Sequence, residues 1–288
     1  ADGVPPDGFP CVLKPVALSA SRGVIRADDE EHFVAAFARI RALLQSPDVR
    51  ALRQATSEFV QVESYVDGTE VAVEAVVDHG ELRVLAIFDK PELLAGPFFE
   101  ETIYVTPSSM ARPTQARVIQ TLEAAVQALD LYHGPLHAEL RFNGEGVWVM
   151  EVAARPIGGL CSRALRFVSP KSKEFVSLEE LIIRLALGED VSAFTRERAA
   201  SGVMMIPVPG QGLLTRVEGV EEARKIKGVE DIVITAKPNQ KLVPLPEGGS
   251  YPGFIFARGD SAESVERALR AAHSELRFIL APALPVIS

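Results

Sequence analysis

The stretch VWVMEVAARPIGG, Val147 to Gly159, carries Glu151 and Arg155 inside an apolar run. Side chains two apart on a strand share a face. Strict alternation puts Val147, Val149, Glu151, Ala153 and Arg155 on one side. Trp148, Met150, Val152 and Ala154 fall on the other, which reads as core. In the preceding run, HAELRF, His137, Glu139 and Arg141 share a face. If the two runs form a hairpin over Asn143 to Gly146, one register sets Glu139 opposite Glu151. That register requires the turn Gly144-Glu145-Gly146 with Gly146 left-handed. Two carboxylates across a sheet repel unless a cation neutralises them, and carboxylate oxygens with open water positions suit Mg²⁺. The bland alternative is a solvated face whose acids pair with Arg141 and Arg155, and a lone hairpin favours it.

Other residues add to this chemistry. VLKP ends a short strand at Lys14 and runs into the small-residue loop ALSASRG, Ala17 to Gly23. Backbone N–H groups in such a loop can cradle phosphate while an ammonium supplies charge. The loop is not a Walker A sequence, and an ordinary hairpin turn is the alternative. In EFVQVESYVDGTEVAVE, Glu63 ends a strand, Asp67-Gly68 makes a bend, and Glu70, Ala72 and Glu74 share the next strand's face. These are either charges on an exposed antiparallel sheet or a hinge whose backbone is open to an adenine edge. Lys90, in FDKP, faces phosphates or a substrate carboxylate, or else water. His137 reads as a hydrogen-bonded neighbour of Glu139 and Trp148 as core. Cys161 reads as a small packing residue rather than a nucleophile.

The elements that must position these residues follow from periodicity. Short strands at FPCVLKPV and VIRA precede a helix capped by Asp28, with Glu31 as its capping-box partner. That helix packs Phe33, Phe37, Ile40 and Leu44 on one face and stops at Ser46-Pro47. Two strands flank His79-Gly80, EETIYVT is another, and Thr114 to Leu131 is a helix. SLEELIIRLALG is a helix capped by Ser177 and closed by Gly188. Strands follow at SGVMMIPVP, GLLTRVEG, EDIVITA and GFIFARG. A last helix spans Asp260 to Phe278, with Asp260 and Glu263 as its capping box. The class is α+β, with antiparallel hairpins flanked by helices. The 288 residues allow about two domains. A net charge of −9 provides no basic field for nucleic acid or an anionic membrane. No apolar run reaches the ~20 residues of a membrane span. Cys11 and Cys161, without metal-like spacing, point to a reducing, cytoplasmic setting.

The order VLKP with its small-residue loop, then VESYVDGTEVAVE, HAELRF and MEVAARPIGG, resembles the ATP-grasp superfamily. Within it the chain looks like the carboxylate–amine ligases, closest to the L-amino-acid (dipeptide) ligase group. The resemblance covers about residues 9 to 190, and from about Ser201 the chain is similar to that group's small C-terminal domain. It implies an ATP-grasp fold in which two α+β subdomains, 1–62 and 63–190, sandwich ATP, followed by an α+β domain over 191–288. It also implies an ATP-dependent ligase that forms an amide through an acyl phosphate. ATP and Mg²⁺ would be its cofactors, and a small carboxylate and a small amine its substrates.

Carried over by position, Lys14 matches the lysine on the ATP phosphates, and Ser19 to Gly23, including Ser21 and Arg22, match the loop that covers them. Glu63 and the backbone at Tyr65 and Val66 match the adenine hinge, and Glu70 the acid on the ribose. Glu139 and Glu151 match the Mg²⁺ ligands. Arg155 matches the arginine on the acyl phosphate or tetrahedral intermediate, and Gly158-Gly159 the glycine turn beside the substrate. Glu101 would attract the amine's ammonium. The chain departs from the pattern in Ala153, where the family has Asn, and in Tyr104, where related ligases place His. Its phosphate loop is also poor in glycine. No counterpart of the family's preceding domain is visible, so the reading expects the later parts of a longer ligase, compatible with a homo-oligomer. The contrasting expectation, motivated by Ala153 and that missing domain, is a nucleotide-binding assembly module without turnover.

Overall fold

The computed structural model describes residues 8–92, 96–169 and 174–282. The first lobe holds β1 (Cys11–Pro15), β2 (Ile25–Ala27), α1 (Glu30–Leu44), α2 (Pro47–Ala51) and β3 (Val60–Ser64), with sheet order β2-β1-β3. Phe33, Ala36, Ile40 and Leu44 of α1 recur at helical spacing and bury against Cys11, Leu13 and Ile25. The α1 cap is Asp29, not Asp28. Asp29 is extended and its carboxylate accepts the His32 N–H, whereas Asp28 accepts from Arg26. Pro47 opens α2 and so ends α1 near Ser46, as expected.

The second lobe holds β4 (Thr69–Asp78), β5 (Glu81–Asp89), β6 (Ile103–Thr106), α3 (Arg112–Ala128), β7 (Gly134–Phe142) and β8 (Val147–Ala153). The start of α3 precedes Thr114 because Pro113 suits a helix's first turn. After β9 (Phe167–Val168), β10 (Phe175–Val176), α4 (Leu178–Ala186) and β11 (Thr195–Arg196), the chain adds β12 (Ala200–Met205) and β13 (Gly212–Glu218). It continues through α5 (Val220–Arg224), β14 (Val229–Ile234), β15 (Lys241–Leu242), β16 (Gly253–Gly259), α6 (Ala262–Glu275) and β17 (Arg277–Ala281). Ser261 and Ser264 form the α6 capping box in place of Asp260 and Glu263. Phe278 lies in β17, beyond the helix, where it pairs with Val217 of β13.

Eight strands make one antiparallel sheet in the order β14-β16-β12-β6-β5-β4-β7-β8. Strands from both sides of residue 190 therefore share it. Alternation along β4 divides its side chains. Val71, Val73, Ala75 and Val77 meet Val118, Leu122 and Val126 of α3, while Ala72 and Val76 face Phe88, Phe167 and Leu181. Glu70 and Glu74 share that second face and are buried. Among the described residues, no helix is long and apolar enough to cross a membrane.

Candidate functional site

The β7–β8 hairpin brings Glu139 opposite Glu151, as expected, but by a different route. Phe142, Arg141 and Leu140 pair with Val147, Trp148 and Val149. The register then slips, so that Glu139 pairs with Glu151 and His137 with Ala153. Met150 is the extra residue of a bulge. The turn is therefore longer than the sequence suggested, and Gly146 is not among the residues with positive φ. The bulge also corrects the face assignment. Val147 and Val149 point with Val152 into the core beneath α3. Trp148 instead falls on the face of Arg141 and covers Gly146, half-buried rather than core. Without the extra residue, Glu151 would follow Val149 onto the core face.

Around Glu139 lies a buried ionic cluster. The Lys90 ammonium, 4% exposed, bonds Glu70 (2.6 Å) and Glu101 and lies 3.1 Å from Glu139. The other Glu70 oxygen accepts from Arg141 at 2.6 Å. The Tyr104 hydroxyl donates to Glu101 (2.6 Å) and approaches Glu139 (3.5 Å). His137 bonds Glu74 through Nδ1, and its Nε2 lies 3.4 Å from Glu139. Glu74 also accepts the Ile157 N–H at 3.2 Å and so anchors the loop after β8.

Burial would lower the Lys90 pKa, but its three carboxylates hold it well above the usual lysine range. Burial would raise Glu139, yet Lys90 and His137 keep it well below the carboxylate range. Burial, then the Glu139 charge, push Glu101 up to about 7 against the pull of Lys90. Burial would depress His137, but its bonds to Glu139 and Glu74 raise it to about 9. Burial raises the Cys161 thiol far out of the reactive range, consistent with packing.

Two adjoining cavities border this cluster. The first, about 170 Å³, lies between the β1–β3 lobe and the β4–β7–β8 face. Lys14, Ser19, Ser21, Arg22, Glu63, Tyr65, Val66, Glu70, Glu101, Glu139 and Glu151 border it. Val12, Val24 and Phe99 supply its apolar wall, with Tyr65 stacked on Phe99 and under the Arg26 guanidinium. The second, about 690 Å³, shares Ser19, Ser21, Glu101, Glu139 and Glu151 with the first. It extends to Arg155, Gly158, Gly159, Tyr251 and Phe254.

Several expected residues have company that the sequence did not reveal. Lys14 pairs with Glu63 at 2.5 Å. The Tyr65 N–H donates to Pro10 O and so is not open to an adenine edge, while the Val66 carbonyl accepts one bond, from Arg141. Arg22 borders the first cavity, but its guanidinium is committed to Asp48 and the Glu247 carbonyl. Gly23 reaches neither cavity; its N–H donates to Pro246 O. Arg155 does not continue the Glu151 face. Its own N–H turns back to Ala153 O (2.8 Å), and its half-exposed guanidinium lies 3.9 Å from Glu151. Gly159 has φ +62°, and a Cβ there would lie 3.0 Å from the Phe254 ring, so the fold itself requires this glycine.

The donor set fits Mg²⁺. Glu139 uses Oε1 toward Lys90, His137 and Tyr104, which leaves Oε2, with the half-exposed Glu151, for a cation in the cleft. Ala153, opposite His137, offers no further oxygen. Glu70, Glu101 and Glu139 also converge within 4.8 Å, but their cation is Lys90. Sequence reasoning left Lys90 open to phosphate or water and missed its buried role. The available signal was the three acids of that face, Glu70, Glu74 and Glu139, set against His137 and Arg141 alone.

Comparison with known proteins accords with this geometry. A profile of the ATP-grasp domain matches residues 7–164, and one of the L-amino acid ligase C-terminal domain 2 matches residues 180–281. The crystal structure of an L-amino acid ligase from Bacillus licheniformis superposes with TM-score 0.77 at 29% identity. The match covers 95% of this chain and 65% of that one. The biotin carboxylase domain of Hydrogenobacter thermophilus 2-oxoglutarate carboxylase, solved with MgADP, ADP and bicarbonate, shares the fold. Its TM-score is 0.64 at 15% identity, covering 97% of this chain and 62% of that one. An uncharacterized protein of Sinorhizobium fredii, y4rH, is 24% identical over 96% of this chain. The chain spans 54% of that relative's length.

Proposed function

The chain belongs to the ATP-grasp family, and from that membership we propose that it is an ATP- and Mg²⁺-dependent carboxylate–amine ligase. It joins two small molecules through an acyl phosphate, in the cytoplasm. The observation that carries this reading is the pair of cavities meeting at Ser19, Ser21, Glu101, Glu139 and Glu151. Such a pair suits a reaction in which a phosphoryl group leaves a nucleotide on one side and activates a carboxylate on the other.

In this reading Lys14 and the backbone of Ser19 to Ser21 hold the phosphates, and Val12, Val24, Phe99 and Tyr65 enclose the base. Glu63 and the remaining hinge backbone read the adenine edge, and Glu70 borders the ribose. Glu139 and Glu151 hold Mg²⁺, which would screen the phosphate charge. A substrate carboxylate oxygen forms a bond to the γ-phosphorus as the bond to ADP breaks. The amine nitrogen then attacks the acyl carbon, loses its proton, and expels phosphate. Arg155 stabilises the oxygen that gains charge during this attack, and Glu101 receives the incoming ammonium. Residues 1–62 and 63–190 act as the two lobes around the nucleotide, and 191–288 closes the far wall of the second cavity.

The test is ADP release from MgATP with amino-acid pairs as carboxylate and amine, and mass spectrometry of the amide. Release that needs both partners and falls on the order of 10²–10³-fold in Arg155→Ala supports the reading. Ala153 favours one other reading, a nucleotide-binding module without turnover. It predicts MgATP binding with no ADP release under any pairing.

A further inference from the structure

The segment 243–251 lies far along the chain from the phosphate loop and yet holds it. The Pro246 carbonyl accepts the Gly23 N–H at 2.8 Å, and the Glu247 carbonyl accepts Arg22 Nε at 2.7 Å. The Glu247 carboxylate takes both Nε (2.5 Å) and NH2 (2.9 Å) of Arg39 on α1, a bidentate charge-assisted pair. Gly249 lies against the Arg22 stem so closely that a Cβ there would be 3.1 Å from two of its carbons. These contacts fall immediately after Ala20 and Ser21, two non-glycine residues with φ of 56° and 54°. A left-handed pair of this kind persists only where its surroundings over-determine it. The far end of the segment is anchored in turn. Pro252 O accepts the N–H groups of Thr235 and Ala236, and Gly249, Ser250 and Tyr251 form part of the second cavity's wall.

We propose that Glu247 is a positioning residue for the phosphate loop. Through it the C-terminal segment seats Ser19 to Gly23, and occupancy of the second cavity is coupled to nucleotide affinity. The coupling rests on the first cavity being the nucleotide site; the seating does not. Because coupling free energy is reciprocal, a ligand that bears on Gly249 to Tyr251 tightens nucleotide binding, and nucleotide tightens that ligand.

The loop carries its own reporter, since trypsin cleaves after Arg22. The experiment is limited tryptic digestion of the whole chain, wild type against Glu247→Gln and Gly249→Ala, with cleavage sites read by mass spectrometry and with and without MgADP. Losing the charge-assisted pair should speed the cut after Arg22 by about tenfold, while cuts elsewhere keep their wild-type rates. MgADP should slow that cut, with about tenfold more nucleotide needed in Glu247→Gln. If nucleotide has no effect on any protein while both variants still open at Arg22, the seating stands and the nucleotide reading falls. A wild-type rate at Arg22 in both variants overturns the proposal. Equal acceleration at every site also overturns it, because Glu247 would then only be holding the fold together.

Discussion

The two walls of the cleft are built on opposite principles. The β4–β7–β8 wall is largely paired before any ligand arrives: Lys90, Arg141 and His137 bind Glu70, Glu74, Glu101 and Glu139 in a buried network. The β1–β3 wall carries partly exposed pairs, Lys14 with Glu63 and Arg22 with Asp48, and a loop with two residues in left-handed backbone. Buried charges without partners are costly, so the first wall cannot change its charges cheaply. Exposed pairs contribute little to stability, so the second can trade Glu63 for a phosphate. One wall sets the geometry, and the other adapts to what enters.

The sharpest way to break this comparison is to remove one lysine from each wall. Lys90→Met leaves three carboxylates facing each other without their ammonium and should cost about 3–5 kcal/mol in urea unfolding. Lys14→Met should cost less than about 1 kcal/mol while weakening nucleotide. Equal losses would mean that the walls do not differ as described.

The paired wall also predicts a pH dependence. His137 is raised from 6.5 to about 9, so its contribution is fully present below pH 6.5 and is lost as pH rises through about 9. That loss is on the order of 3 kcal/mol. Glu101, raised from 4.5 to about 7, has the same sign at lower pH: stability falls as pH climbs through that window. Glu139, held low, acts oppositely and loses its contribution in acid. Denaturant midpoints taken from pH 6 to pH 10 should decline in wild type and stay flatter in His137→Gln.

The adaptive wall gives the smallest effect. Ala20 adopts φ 56° without being glycine. Ala20→Gly should relieve strain of roughly 1 kcal/mol, against which the added chain entropy of glycine works. The thermal midpoint should therefore move by no more than a few degrees, and a large loss would show that the loop is not strained.

How far the sequence carried depended on the length scale involved. The pairing of Glu139 with Glu151 was legible because period-two alternation and a glycine turn mark a hairpin. The Met150 bulge was not, since a run of seven apolar-rich residues looks the same with or without one extra. Caps slipped by one residue at Asp29 and Ser261 because adjacent Asp-Asp and Asp-Ser pairs offer equivalent oxygens, and only backbone geometry chooses between them. Lys90 was visible, but its burial was not. Its three acids come from β4, the segment before β6, and β7, which only the folded sheet assembles. The strap on the loop after β1 joins residues more than 200 positions apart, Arg22 and Glu247, and no local pattern announces it.

The most direct test of the central claim, that the first cavity is a Mg-nucleotide site, is calorimetric titration with a non-hydrolysable ATP analogue. The wild-type chain should bind one equivalent, and binding should weaken strongly when EDTA removes Mg²⁺. Lys14→Ala and Glu151→Gln should each weaken it by about tenfold or more, with Arg155→Ala close to wild type. Absence of binding, or an affinity indifferent to Mg²⁺ and unchanged in both Lys14→Ala and Glu151→Gln, would contradict the account.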